Sequence, residues 1–152
     1  MKNNMVIAVA CDHGALRLKK AVLEYLDSKK IAYKDFGTCT ADSCDYPDFG
    51  IAAAEAVAKG DYDFGVLLCS TGIGMSMAAN KVKGVRAALV SDEFSAVMTR
   101  AHNDANVLCM GEKVVDAELA VSILDKFLNT GFDGGRHAVR VGKITAYENK
   151  VK

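Results

Sequence analysis

The chain has 152 residues, 51% of them hydrophobic, with 19 Lys and Arg against 19 Asp and Glu. That length is about one domain, and that apolar share excludes a chain too polar to build a core. With no net charge there is no basic face for nucleic acid, so any anionic ligand must be gripped by a few local groups.

In chain order, Met1 to Asn4 precede a short apolar run ending at Cys11, a layout unlike a signal peptide. No stretch approaches the ~18 apolar residues of a membrane helix, so no membrane partner is expected. Strands are predicted over 6–11, 31–35, 64–69, 85–90 and 107–110, mostly as continuous apolar runs of the kind buried on both faces. Helices are predicted over 16–28, 48–59, 74–82, 93–101 and 116–129. Strands alternating with helices and joined by right-handed crossovers give an α/β fold, a three-layer α/β/α sandwich around a five-stranded parallel Rossmann-like sheet, in one domain. The tail from 131 to 152 opens with Gly134-Gly135, turns basic, and repeats Ile144, Tyr147 and Val151 at helical spacing. It reads as a last helix reaching toward a neighbouring subunit. Of the five cysteines, Cys11, Cys69 and Cys109 fall in or at the end of strands. Free thiols in a reducing cytoplasm fit this better than disulfides. Cys39 and Cys44 lack the second ligand pair of a zinc site and read as loop residues.

Sheets of this kind bind ligands beyond the carboxyl ends of their strands. The first strand delivers Asp12 and His13, the third Cys69 to Gly74, the fourth Ser91 and Asp92, and the fifth Gly111 and Lys113. His102 and Asn103 follow the helix before the fifth strand, and His137 lies between Arg136 and Arg140. The segment Cys69-Ser70-Thr71-Gly72-Ile73-Gly74-Met75-Ser76 carries most information. Its glycines let the backbone approach a ligand, and its free N–H groups favour negative charge, including that of a thiolate. A dinucleotide fingerprint is contradicted by Met77, which stands where the third glycine belongs, although Asp92 has suitable spacing. A cysteine phosphatase needs an arginine after its nucleophile, and residues 70–80 contain none. Proton transfer beside a carbonyl remains: Cys69 as base, the amides of Ser70 to Gly74 as oxyanion donors, each worth ~3 kcal/mol in the barrier, and His102 as acid or base. It calls for no metal and no cofactor. Arg136 and Arg140, four apart, share one helix face and suit a phosphate, with His13 and Lys113 in support.

These segments, with Cys11-Asp12-His13-Gly14, Asp45-Tyr46-Pro47, Ala78-Ala79-Asn80-Lys81, Arg100-Ala101-His102-Asn103-Asp104 and Gly134-Gly135-Arg136-His137, resemble the ribose-5-phosphate isomerase B family. That family also holds galactose-6-phosphate isomerase subunits. The resemblance implies interconversion of ribose 5-phosphate and ribulose 5-phosphate, with a hexose 6-phosphate or rare aldose as the alternative substrate. A non-catalytic sugar-phosphate sensor is the reading from another class. The resemblance makes Cys69 the base and His102 the group that opens the sugar ring, with Thr71 assisting proton transfer. It puts Asp12 among both catalytic and substrate-binding groups, and gives His13, Ser70, Thr71, Gly72, Ile73, Gly74, Asn103, Lys113, Arg136 and Arg140 to substrate binding, with Tyr46 lining the site. It further implies a homodimer, or a dimer of dimers, with active sites at the interface. Ser70 stands where many members have glycine, and Lys113 where an arginine often binds phosphate.

Overall fold

A computed structural model describes residues 5–150; Met1 to Asn4, and Val151 of the expected tail helix, lie outside the described residues. Five parallel strands, β1 (Val6–Cys11), β2 (Ala32–Asp35), β3 (Phe64–Cys69), β4 (Ala87–Leu89) and β5 (Val107–Gly111), form one sheet in the order β2-β1-β3-β5-β4. The helices are α1 (Leu16–Ser28), α2 (Tyr46–Ala58), α3 (Ile73–Ala79), α4 (Glu93–Ala101), α5 (Ala117–Asn129) and α6 (Arg136–Glu148). The expected three-layer sandwich is the architecture found. Helices α1, α4 and α5 cover one face, and α2 and α3 the other.

Strand alternation explains the layers. Ile7, Val9, Val66, Leu68, Leu108 and Met110 point toward α1 and α5, where they pack with Leu26, Ile123 and Phe127. Each such side chain fully withdrawn from water stabilises the fold by ~2 kcal/mol. The other face is built from small residues: Ala8 and Ala10 of β1 meet Ala53 and Ala54 of α2. Cys69 and Cys109 lie on this face, Cys11 on the opposite one.

Several boundaries differ from those predicted. Strand β4 is a three-residue edge strand rather than 85–90, because Asn80 and Asn106 side chains take over the backbone bonding around Arg86 and Ala87. Helix α2 starts at Tyr46, two residues early, since Pro47 fits the first helical turn. Helix α3 ends at Ala79 rather than 82, where the Asn80 side chain turns back onto the Ser76 carbonyl.

Candidate active site

The chain leaves β1 to one side and β3 to the other, so a crevice opens between their carboxyl ends. Asp12, buried, caps a single 3-10 turn (His13–Ala15) by accepting from the Gly14 N–H at 2.8 Å. His13 is exposed, and its Nδ1 accepts from the Cys44 N–H at 3.2 Å. A neutral His13 ring therefore carries its proton on Nε2, the nitrogen left for a ligand. The Cys44 thiol lies 3.7 Å from the same Nδ1, a neighbour the sequence did not single out.

Cys69, the last residue of β3, is only 5% exposed and packs against the α2–α3 cluster. Its Sγ nonetheless turns into the glycine loop and accepts from the Gly72 N–H at 3.1 Å, the contact an acceptor-only thiolate needs. Gly72 has φ 77°, and a Cβ there would meet the Met110 backbone at 2.8 Å, so only glycine takes this path. The loop is pinned to the segment after β5: Glu112 N–H donates to Cys69 O and Lys113 N–H to Ser70 O, both at 3.0 Å. Thr71 is exposed at the rim, its Oγ1 accepting from Ile73 N–H. Ser70 Oγ lies over Gly14, and the Tyr46 ring lies over Gly74, each where a side chain on the glycine would collide. Asp12, His13, Tyr46, the loop from Cys69 to Gly74, and Lys113 are thus brought together.

His102, Asn103, Arg136 and Arg140 are not. His102 caps the carboxyl end of α4, which has run back along the sheet. Its neighbour Arg100 holds its guanidinium 4.7 Å over the ring of Phe64, the first residue of β3. Strand β3 has six residues rising ~3.3 Å each, so Phe64 and Cys69 sit ~16 Å apart. A residue that follows a helix and precedes a strand arrives at the amino end of the sheet, so His102 and Asn103 lie at the end opposite the glycine loop. There the Asp133 N–H donates to Ala101 O at 3.0 Å, and His137 stacks on His102 with centroids 4.1 Å apart and planes 5° from parallel. Arg136 and Arg140 extend from the exposed start of α6 with no carboxylate partner among the described residues. At its other end α6 is tied by Glu148, which accepts from the Gly84 N–H at 3.0 Å.

Among the described residues, His102, Asp133 and His137 form a cluster with ligand atoms within 4.8 Å of one another, which wide sequence spacing had hidden. Imidazole lone pairs lie in the ring plane, and two parallel planes share no point for one ion. The arrangement is a stack rather than a chelate.

The ribose/galactose isomerase description matches residues 7–144. The chain belongs to that family. Ribose-5-phosphate isomerase B of Escherichia coli is 44% identical over 95% of this chain and 97% of its own. Among family structures, ribose-5-phosphate isomerase B of Clostridium thermocellum superposes with a TM-score of 0.95 at 48% identity, covering 97% of this chain and 100% of that one. The Mycoplasma genitalium enzyme with bound ribulose-5-phosphate gives 0.93 at 45% identity, covering 97% and 98%. No helix among the described residues is long and apolar enough to cross a membrane.

Proposed function

We propose that this protein interconverts ribose 5-phosphate and ribulose 5-phosphate through an enediolate, as a homodimer whose sites each draw on both copies. The observation that carries the reading is the Cys69 sulfur held 3.1 Å from the Gly72 amide at the head of a glycine loop. Cys69 removes the proton from the carbon beside the aldehyde. The enediolate oxygen takes up N–H donors of the Ser70–Gly74 loop, which strengthen as charge develops there. Returning the proton to the neighbouring carbon, with Thr71 assisting, completes the isomerisation without redox change. Asp12 and Tyr46 line the sugar, and His13 and Lys113 supply donors at the rim.

Ring opening and the phosphate grip need His102, Asn103, Arg136 and Arg140 of the partner subunit. Within one chain the two groups lie at opposite ends of β3, a strand ~16 Å long, which supports this division. So do the apolar residues left exposed on both: Ile73 and Met77 on α3, Val139, Ile144 and Tyr147 on α6. A twofold pairing that lays each α6 corner on the other copy's glycine loop completes two sites at once. The relative with bound ribulose-5-phosphate supports a pentose substrate. The five cysteines are all free, which supports a reducing, cytoplasmic setting.

Cys69→Ala tests the reading. Turnover of ribose 5-phosphate should disappear, together with exchange of the substrate's carbon-bound hydrogen into heavy water, while the circular dichroism and dimer mass stay unchanged. A variant that kept most of its exchange would remove Cys69 as base. A panel of pentose and hexose phosphates, compared by kcat/KM, fixes the preferred sugar.

A further inference from the structure

One polar side chain has no place in the scheme above. His137 is 9% exposed and accepts or donates no side-chain hydrogen bond among the described residues. Its ring lies flat against His102, 4.1 Å away. His137 is itself firmly held: its N–H donates to Gly134 O at 3.0 Å, and the preceding loop is tied to α4 through the Asp133 N–H and Ala101 O. His102, in contrast, sits at a helix end with a side chain 39% exposed and Asp133 Oδ2 4.0 Å from its Nε2, beyond hydrogen-bonding distance. Among the described residues His102 makes no side-chain hydrogen bond, and the stacked ring sets the plane of its imidazole.

Resting on the isomerase reading, we propose that His137 is a positioning residue for ring opening: it holds the partner-facing His102 imidazole in the orientation that meets the ring oxygen of a furanose phosphate. Burial first, then the nearby His102, Arg136 and Arg140, keep the His137 imidazole below the usual histidine range.

Elementary sugar chemistry separates this role from proton transfer. Ribose 5-phosphate is a furanose and must be opened. Ribulose 5-phosphate has its terminal oxygen phosphorylated, has no hydroxyl placed to close a five-membered ring on the ketone, and stays open. Turnover of the aldose therefore needs ring opening and proton transfer. Hydrogen exchange at the first carbon of the ketose in heavy water needs proton transfer alone. In His137→Ala, ribose 5-phosphate turnover should fall about 10-fold while ketose exchange stays within about twofold of wild type. His137→Phe, which restores a flat ring, should recover turnover to within about threefold of wild type. The inference is overturned if His137→Ala keeps full turnover, or if it loses turnover and exchange together and His137→Phe recovers neither. Absence of exchange in the wild-type enzyme is a different result; it removes the isomerase reading and this one with it.

Discussion

Gly111→Ala puts the geometry of the glycine loop to a quantitative test. A Cβ at Gly111 would lie 2.4 Å from the Thr71 carbonyl carbon and 2.6 Å from both Thr71 Cα and Thr71 O. Non-bonded carbons rest at about 3.5–4.0 Å, so the loop must retreat by about 1 Å. All three atoms are main chain, and no rotamer change relieves them. The retreat carries Gly72 away from Cys69, lengthening a 3.1 Å contact beyond hydrogen-bonding range. A displacement of about 1 Å at reacting groups costs about 10²-fold in rate. Overpacking should cost ~1–3 kcal/mol of stability, and reduced unfolded-chain entropy returns up to ~1. Gly65→Ala is the control. At the amino end of β3, its Cβ would meet side-chain methyls of Val107 at 3.1 Å and Val57 at 3.3 Å, which yield by small rotations. Urea unfolding and kcat/KM for ribose 5-phosphate, measured on both, should show comparable stability losses and an activity loss confined to Gly111→Ala. Wild-type kcat/KM in Gly111→Ala, or equal activity losses in both variants, refutes the reasoning.

Mixing Cys69→Ala with His102→Ala, each inactive alone, should restore about a quarter of wild-type turnover, since half the random dimers hold one intact site of two. No recovery after confirmed subunit exchange means that the sites do not draw on both copies. Burial pushes the Cys11 thiol up to about 12, and burial again, with Cys69 beside it, pushes Cys109 up as well. Iodoacetamide at neutral pH, read by mass spectrometry, should therefore modify exposed Cys39 and spare both until the protein unfolds. Burial acts to raise the Glu112 carboxyl, but the Leu18 amide and Arg17 outweigh it and hold the group below its ordinary 4.5. A lowered folded value stabilises above the unfolded one and is lost as pH falls through the folded one. Glu112→Gln should thus flatten the loss of stability below about pH 4.5 in urea titrations; an unchanged acid limb contradicts it.

The sheet was legible because its central strands are continuous apolar runs: β1 and β3 have the predicted bounds, and β5 differs only by Gly111. Strand β4 was not, because an edge strand of three residues with half-exposed Ala87 and Ala88 carries little apolar signal. The loop after β3 announced itself through Gly72 and Gly74. What the residue order concealed was polarity. Asp12 follows β1 and Cys69 ends β3, while His102 and Asn103 precede a strand, and only chain direction through the sheet separates the two ends. The stack of His102 on His137 was hidden for another reason: it joins segments 35 positions apart through a backbone bond from Asp133 to Ala101. Local patterning contains no trace of such a contact.

The shape of the glycine loop depends on missing atoms at Gly14, Gly72 and Gly111, each pressed against backbone or a neighbouring side chain. Every single-base change that replaces glycine with another amino acid adds at least a Cβ, so genetic drift has no gentle step available at these three places. Diversification toward other sugars has more room at the rim, where His13, Tyr46 and Lys113 stand exposed.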